Sequence, residues 1–548
     1  MANRLAAILL QLGVVAVIVA AAPYKLFELD RYFVPKELVF HVVALFIAIV
    51  LVARRRTLGI DLADALLALF LAWSAASALF ATNHWVAQRA LGLSVSSALI
   101  FWGARRLGAL GMHRPILVAA ALATVCAAAA SLAQAYGLES DYFSLNRVPG
   151  GTLGNRNFVA HIAAVGLPAV VWSTVTARRS IGALIGSLGV AVLGAALVLS
   201  RSRAAWLAVV ASVIVLAGPL IVSRKYWEGA HVGGRLARVL LAGALGGIVA
   251  IALPNRLNWA SDSPYLDSAR GMVDYSRGSG RGRVAQYRNS FRMATANPVF
   301  GVGPGNWPVR YVRFAPGNDR SLADDGMTAN PWPSSDWVGF LSERGFIAAV
   351  ALLLTFVTLF FGAFRRWGSG AEPDGAASSE EDAAAMLEDA EHIRTVSDRV
   401  LLKLALAGTI VATIVVSAFD AVLLLAAPAF LIWSVVGAAT GARVRARPLE
   451  LSARAWAIAA AGTLLIVIAS AARSATMTRS MAAVGRGGQT AGWVRGAAWD
   501  PGSYRINLKV AELYSRRGRC GTARPYAQRA LALFPNSPAA RRVARRCR

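Results

Sequence analysis

The stretch NPWPSSDWVGFLSERGFIAAVALLLTFVTLFF, residues 330–361, passes from a polar, proline-containing segment into a long apolar run. Its two prolines exclude a regular helix or a central strand across the first residues. The apolar part is long enough to cross a bilayer as a helix, which needs about 20 residues. The stretch therefore predicts a membrane helix with serines, tryptophans and Asp336 at its polar end.

Blocks of the same kind recur along the 548 residues, which are 56% hydrophobic and only 16% charged. A soluble chain of this length would divide into domains with charged surfaces, so the composition excludes a soluble protein. We predict an all-α polytopic membrane protein with about 12 to 13 transmembrane helices. The apolar blocks lie near residues 5–22, 36–53, 62–81, 88–103, 115–136, 157–177, 181–200, 203–222, 237–254, 337–361, 398–418, 420–441 and 452–472.

Arg and Lys are concentrated in every second connection, as in ARRRT at 53–57 and ARVRARPLELSAR at 442–454. Because positive charge stays on the cytoplasmic side, the N-terminus is predicted inside, in a bacterial inner membrane. The same count predicts a large periplasmic loop at 255–336 and a cytoplasmic loop at 365–397. It divides the chain into a transmembrane domain, 1–472, and a periplasmic tail, 473–548. The net charge of +28 follows from this pattern and a basic tail, so we expect no nucleic-acid partner.

The tail carries a 34-residue spacing between two similar segments, AAWDP ending at Pro501 and LALFP ending at Pro535. This spacing resembles one tetratricopeptide unit of two antiparallel helices. Such a unit would be a docking platform for a protein partner, or only a cap on the rest of the chain. Cys520 and Cys547 also lie in the tail, where they could pair in an oxidising compartment or remain free thiols.

Arginines gather at the predicted outer face, where the charge rule does not place them. SRSRAAW carries Arg201 and Arg203, GNRNF carries Asn157, and GRVAQYRN carries Arg283 and Arg288. A guanidinium group can donate two parallel hydrogen bonds to phosphate oxygens, which suits a lipid-linked pyrophosphate. For any single arginine the alternative is that it extends to the lipid headgroups. The segment GVGPG lacks the Lys-Ser/Thr end of a phosphate-binding loop and is predicted to form a tight turn.

Four segments in this order resemble the O-antigen ligase and polymerase superfamily: GTLGNRNFVAHIAAVGLPA, SRSRAAWLA, GRVAQYRNSFRMATANPVFGVGPGNWP and SSDWVGFLSERGF. The resemblance covers roughly residues 150–440. It implies a GT-C-like, metal-independent transferase without a cofactor, acting on an undecaprenyl-pyrophosphate-linked glycan at the periplasmic face of the bilayer. In this resemblance Arg201 and Arg283 match the family's two functional arginines, with Tyr287 as the aromatic four residues after the second.

One position departs from the family pattern. A His at the start of the helix after the large loop is the family's proposed base, and its place here falls on Ser334. A Ser hydroxyl has an unsuitable pKa for that task, so the chain would use another base, need little help from a base, or have a different function. We predict Asp336 as the substitute base and Glu343, seven residues on, as a second carboxylate on the same helix face. The alternative for Asp336 is that a serine caps the helix and Asp336 only favours its first turn.

The predicted catalytic residues are thus Asp336, Arg283 and Arg201. The predicted substrate-binding residues are Arg203, Arg288, Asn157, Tyr287, Trp307, Trp332, Trp337, Ser334 and Glu343, with no metal ligands. The tryptophans could stack on sugar rings or anchor the helices at the interface. The acceptor could be lipid A-core, a growing glycan or a protein, so ligase or polymerase is the first hypothesis. Protein O-glycosylation, or a non-catalytic polysaccharide-export role, is the alternative.

Overall fold

The computed structural model describes residues 2–25, 30–53, 57–227, 232–259, 261, 263–271, 278–319, 321–323, 326–364, 382–441, 447–450, 452–487 and 489–547. Thirteen apolar helices form its main body. They are α1 (Ala2–Val19), α2 (Asp30–Val52), α3 (Leu62–Ala78), α4 (His84–Leu107), α5 (His113–Ala135), α6 (Arg156–Val175), α7 (Ser180–Ser200), α8 (Arg203–Val222), α9 (Val232–Ala252), α13 (Asp336–Phe364), α14 (Asp382–Phe419), α15 (Ala426–Gly441) and α16 (Ala453–Gly487). The helices between α9 and α13 are α10 (Pro264–Arg270), α11 (Gly278–Ala296) and α12 (Trp307–Tyr311), and those after α16 are α17 (Thr490–Trp499), α18 (Tyr504–Arg516), α19 (Cys520–Leu533) and α20 (Pro538–Arg546).

The prediction of an all-α polytopic membrane protein is confirmed. Within the described residues, ten stretches are long and apolar enough to cross a membrane. One of them, His84–Ala135, contains both α4 and α5, which meet at a π-helical turn where Gly111 has φ of 80°. The helices α3 and α15 are apolar but shorter. Each predicted apolar block therefore falls on a helix.

Helix α15 lies at the centre of this body. All of its residues are buried, and it contacts α1, α2, α4, α5, α6 and α14. A helix that is apolar on every side can lie in lipid or inside the protein, so its apolar character alone does not determine this central place. Gly437 and Gly441 permit close packing, because a Cβ at either position would meet the backbone of α4 at Phe101 or Arg105.

One end of the body gathers several connections that the sequence places on the same side of the membrane. Strands β1 (Thr57–Ile60) and β2 (Arg447–Glu450) pair antiparallel there. Arg114, at the start of α5, donates to the carbonyl of Thr176 and forms an ion pair of 3.4 Å with Asp398 on α14. The helix ends therefore alternate as the charge rule requires, whereas the direction of the whole body relative to the cytoplasm stays a prediction.

The tail is continuous with the body. Helix α16 runs through the predicted boundary at 472–473 as far as Gly487, so no break separates the two parts at that position. A disulfide joins Cys520 and Cys547 and connects α19 to the end of α20. The tail also contacts the body, since Asn83 donates from its side chain to the carbonyl of Leu533 at 3.0 Å. The helical tail is thus observed, whereas its tetratricopeptide identity stays a prediction.

Candidate active site

The segment NPVFGVGPGNW, residues 297–307, forms a tight turn against the first part of α13, as predicted. Gly301, Gly303 and Gly305 adopt φ of 64°, 97° and 67°, which side-chain-bearing residues rarely reach. The backbone N–H groups of Val302 and Gly303 donate to the carbonyls of Ser342 and Glu343 at 3.0 and 2.8 Å. We call residues 297–307 together with 342–346 the interlocked turn.

Gly345 is where α13 bends to fit this turn. Its backbone has φ of 79° and ψ of 176°, a conformation open only to glycine. A Cβ there would lie 2.1 Å from the carbonyl oxygen of Val299. The next residue, Phe346, donates its backbone N–H to Pro298 at 2.9 Å. The two sequence motifs therefore recognise each other through backbone bonds.

The two predicted carboxylates do not meet at one site, although they share a helix. Glu343 accepts from the backbone N–H groups of Gly305 and Trp307 at 2.8 and 3.1 Å and is 2% exposed. It anchors the interlocked turn, so the prediction that it binds substrate does not fit this placement.

Asp336 has no exposed surface. Its carboxylate accepts from three backbone N–H groups in the turn that precedes α15. These donors are Val422 at 2.9 Å, Leu423 at 2.7 Å and Leu424 at 3.2 Å. A general base must reach the proton that it removes. The geometry of Asp336 is instead that of a carboxylate holding a turn in place, which differs from the predicted role.

The segment before α13 is held by α11 and α14. The hydroxyl of Ser335 donates to the carbonyl of Ser417 at 3.1 Å and lies 3.4 Å from the N–H of Val338, in the position of a helix cap. Ser334 uses its backbone, which accepts from the hydroxyl of Tyr287 at 2.8 Å. That hydroxyl also lies 2.9 Å from the carbonyl of Ala418. Tyr287 therefore positions α11 against the end of α14.

Two of the predicted arginines line one cleft. Arg203, at the start of α8, and Arg283, on α11, face it together with Gly271 and Phe419. Arg203 is fixed by a hydrogen bond to the carbonyl of Gly271. Arg283 lies one helical turn before Tyr287, so both residues are on the face of α11 that is turned towards the end of α14. We call this site the arginine cleft.

Arg201 lies beside the cleft in a strained backbone conformation. Its φ is 53°, and it ends α7 two residues before α8 begins. Its Nε donates to the hydroxyl of Ser268 at 2.8 Å, and its guanidinium lies 4.7 Å from the ring centre of Trp259. Arg156 lies 4.8 Å from the same ring. Partial burial lowers the pKa of Arg201, the charge of Asp267 opposes that shift and the charge of Arg203 adds to it.

Two further predicted residues lie near this group but are placed differently. Asn157 is the second residue of α6, and its backbone N–H donates to the capping side chain of Asn155 at 3.0 Å. Arg288 is exposed on α11 and is not part of the lining of the arginine cleft. The structure therefore brings together Arg201, Arg203 and Arg283, and leaves Arg288 apart from them.

The three predicted tryptophans differ in how far their rings are buried. Trp307 is fully buried, donates from its indole to Ser290 at 2.8 Å and packs on Tyr311, so a sugar has no access to its ring. Trp337 is half-buried and donates to the carbonyl of Ile414 at 3.1 Å. Trp332 is half-buried and packs edge-on against Phe33 at 4.9 Å. Stacking on a sugar is thus wrong for Trp307 in this conformation and stays a prediction for the other two.

Two residues that the sequence reasoning did not select lie next to these arginines. His161 on α6 is 1% exposed, and neither ring nitrogen has a hydrogen-bond partner among the described residues. Its charged neighbours are Asp420 and Arg283. Asp420 directly follows Phe419 of the arginine cleft and is half-buried. A lone carboxylate between two apolar blocks, in SAFDAVLL, is the sequence signal that indicates this position.

The fold and this cleft define a multi-pass membrane protein with arginines gathered at one end of its helices. Residues 188–353 match the O-antigen ligase family model, so this part of the chain is similar to that family. The matched residues include Arg201, Arg203 and Arg283 together with the interlocked turn. The family indicates a glycosyltransferase-like enzyme that performs glycan transfer of the ligase type. No curated protein matches the chain at a significant level.

Proposed function

We propose that the chain transfers a glycan from an undecaprenyl-pyrophosphate donor to a hydroxyl acceptor at the periplasmic face of the inner membrane. The observation that carries the proposal is the convergence of Arg203 and Arg283 on one cleft, with Arg201 beside it, within the residues that match the O-antigen ligase family model. These positive groups suit the negative charge of a pyrophosphate, whose oxygens accept paired hydrogen bonds from guanidinium groups.

The arginines act on the leaving group. As the bond between the sugar and the phosphate breaks, negative charge grows on the phosphate oxygens, and fixed cations at that place lower the barrier. Arg203 and Arg201 are held by Gly271 and Ser268, so little reorganisation is needed when the charge develops. The strained backbone of Arg201 supports the same role, because such strain persists where function requires a particular side-chain direction.

The position of the cleft supports the periplasmic assignment. The arginines lie where α7 ends and α8 begins, at the end of the body opposite the ion pair of Arg114 and Asp398. That opposite end carries the basic connections that the charge rule assigns to the cytoplasm. A donor lipid in the outer leaflet would reach the cleft with its chain still in the bilayer.

A strain that lacks this chain provides the first test. If the chain is a ligase, long surface polysaccharide disappears and accumulates on the lipid-linked donor, as a gel profile of both pools would show. Shortening to single repeats would identify a polymerase. An unchanged profile of both pools would contradict the proposal for this donor and these acceptors.

The purified protein provides the second test. We expect it to transfer glycan from a synthetic polyprenyl-pyrophosphate donor, and to release polyprenyl pyrophosphate in equal amount. Transfer from a nucleotide-sugar donor, with none from the lipid-linked donor, would contradict the pyrophosphate assignment.

A further inference from the structure

The proposed transfer requires a group that accepts the proton of the attacking hydroxyl. Asp336 and Glu343 already accept backbone hydrogen bonds on both of their oxygens and are buried. Neither carboxylate therefore faces an acceptor in the arginine cleft. A different group near the cleft would therefore accept the proton.

Asp420 adjoins the arginine cleft along the chain. It follows Phe419, which lines the arginine cleft together with Arg203 and Arg283. The hydroxyl of Tyr287 lies 2.9 Å from the carbonyl of Ala418, which fixes the face of α11 that carries Arg283 against this end of α14. Asp420 is also half-buried rather than enclosed, unlike the two carboxylates of α13.

Asp420 also has an oxygen to spare. Its Oδ1 accepts from the backbone N–H of Ala421 at 2.9 Å. No hydrogen bond to Oδ2 is present among the residues that the structure describes. An ionised carboxylate accepts on both oxygens, so one acceptor position remains for a hydroxyl proton.

His161 lies on α6, which packs against α14, the helix that Asp420 directly follows. Both ring nitrogens are buried and lack partners in the described part of the chain, which costs free energy for each group. Asp420 and Arg283 are close enough for their charges to act on the imidazole. A neutral imidazole offers one N–H, which is what a carboxylate needs in order to be held in place. Hydrogen bonds of catalytic groups often form only when substrate is bound.

We propose that Asp420 is the general base of the transfer and that His161 is its positioning residue. The proposal rests on the proposed function. The acceptor oxygen forms a bond to the anomeric carbon, and the bond between that carbon and the phosphate oxygen breaks. The electron pair of the broken bond leaves with the pyrophosphate beside Arg203 and Arg283. The hydroxyl proton passes to Oδ2 of Asp420, while His161 donates its N–H to the carboxylate.

Turnover and pyrophosphate binding of the full chain test the two roles separately. Asp420→Asn should lower kcat by about 100-fold or more, the range of general-base catalysis, and leave the affinity for inorganic pyrophosphate unchanged. Asp420→Glu should recover part of kcat, because it keeps a carboxylate. Asp398→Asn, on the same helix at the opposite end of the body, is the matched control and should keep kcat.

A double variant tests His161. His161→Gln should lower kcat by about tenfold, and adding it to Asp420→Asn should cause no further loss, since it acts only through Asp420. Independent losses that multiply in the double variant would overturn the positioning role.

The remaining outcomes separate this proposal from the proposed function. Asp420→Asn at the wild-type rate, or equal losses for Asn and Glu at position 420, would overturn the base assignment while wild-type transfer still supports the function. A loss of pyrophosphate binding in Asp420→Asn would also overturn it, because the residue would then shape the site. A wild-type protein that transfers no glycan would overturn the function, and the base assignment with it.

Discussion

The interlocked turn and the arginine cleft differ in how their polar groups are paired. In the interlocked turn Glu343 accepts two backbone N–H groups, and the adjoining Asp336 accepts three. Beside the cleft Arg201 is strained, and His161 has no hydrogen-bond partner among the described residues. The first arrangement satisfies its polar groups within the protein, whereas the second leaves buried polar atoms unsatisfied among the described residues.

This difference teaches how to interpret the sequence motifs. The most recognisable segments, NPVFGVGPGNW and SSDWVGFLSERGF, contribute mainly backbone turns and their anchors. The cleft takes its chemistry from residues on α8, α11 and the end of α14, which are far apart in the sequence. These motifs therefore form supporting backbone turns, whereas the arginine cleft carries the charged side chains.

Arg283→Ala gives the largest expected effect, because it removes a positive charge from the arginine cleft. We expect turnover to fall by about 100- to 1000-fold with the fold intact, the usual cost of losing a group that stabilises developing charge. Arg292→Ala, exposed on the same helix, is the matched control. Transfer assays and thermal unfolding measure both quantities, and full activity of Arg283→Ala would remove the pyrophosphate argument.

Gly345→Ala tests the interlocked turn. A Cβ would meet the carbonyl of Val299 in a backbone conformation that only glycine tolerates, so we expect a loss of about 2 kcal/mol or more in the free energy of unfolding. Gly362→Ala in the same helix has no neighbouring atom within 4 Å and should stabilise by at most about 1 kcal/mol. Equal stability of the two variants would show that the interlocked turn adapts without cost.

Asp336→Asn sharpens the comparison at the residue that the sequence predicts as base. An amide replaces one accepting oxygen with a donor, so we expect about 1–3 kcal/mol of destabilisation and a loss of activity that follows it. Ser334→Ala should change stability by no more than about 0.5 kcal/mol, because the hydrogen bonds of Ser334 come from its backbone. Unchanged stability with abolished turnover in Asp336→Asn would return the catalytic role to Asp336.

Chelation should have the smallest effect. If the arginines alone neutralise the leaving group, EDTA should change the transfer rate by less than about two-fold. The measurement is a transfer assay with and without EDTA, followed by added Mg²⁺ or Mn²⁺. Activity that falls with EDTA and returns with the metal would show that the arginine cleft does not act by itself.

Much of the fold follows from local pattern. The length of each apolar block predicts each helix, and the three glycines around Pro304 predict the tight turn. The interpretation of Ser335 as a helix cap also follows from its place before α13. The disulfide of Cys520 and Cys547 was one of two open alternatives, because spacing alone does not determine pairing.

The site was harder to predict, because its partners are distant in the sequence. The turn at 422–424 that binds Asp336 lies beyond two helices, α13 and α14, so no local pattern reveals that this carboxylate already accepts hydrogen bonds. His161 and Asp420 lie far from Ser334 in the sequence, so the place of the family's His does not indicate them. The lack of partners for the ring of His161 is visible only when α6 and α14 are packed together.

The enclosure of α15 bears on how the protein responds to its membrane. Its 16 residues rise about 24 Å, less than the roughly 30 Å of a bilayer's hydrocarbon core. Because neighbouring helices cover every side of α15, its ends need not match the lipid. A thicker or thinner bilayer therefore acts on α7, α8 and α9, which expose many apolar side chains, and the centre of the protein is insulated from it.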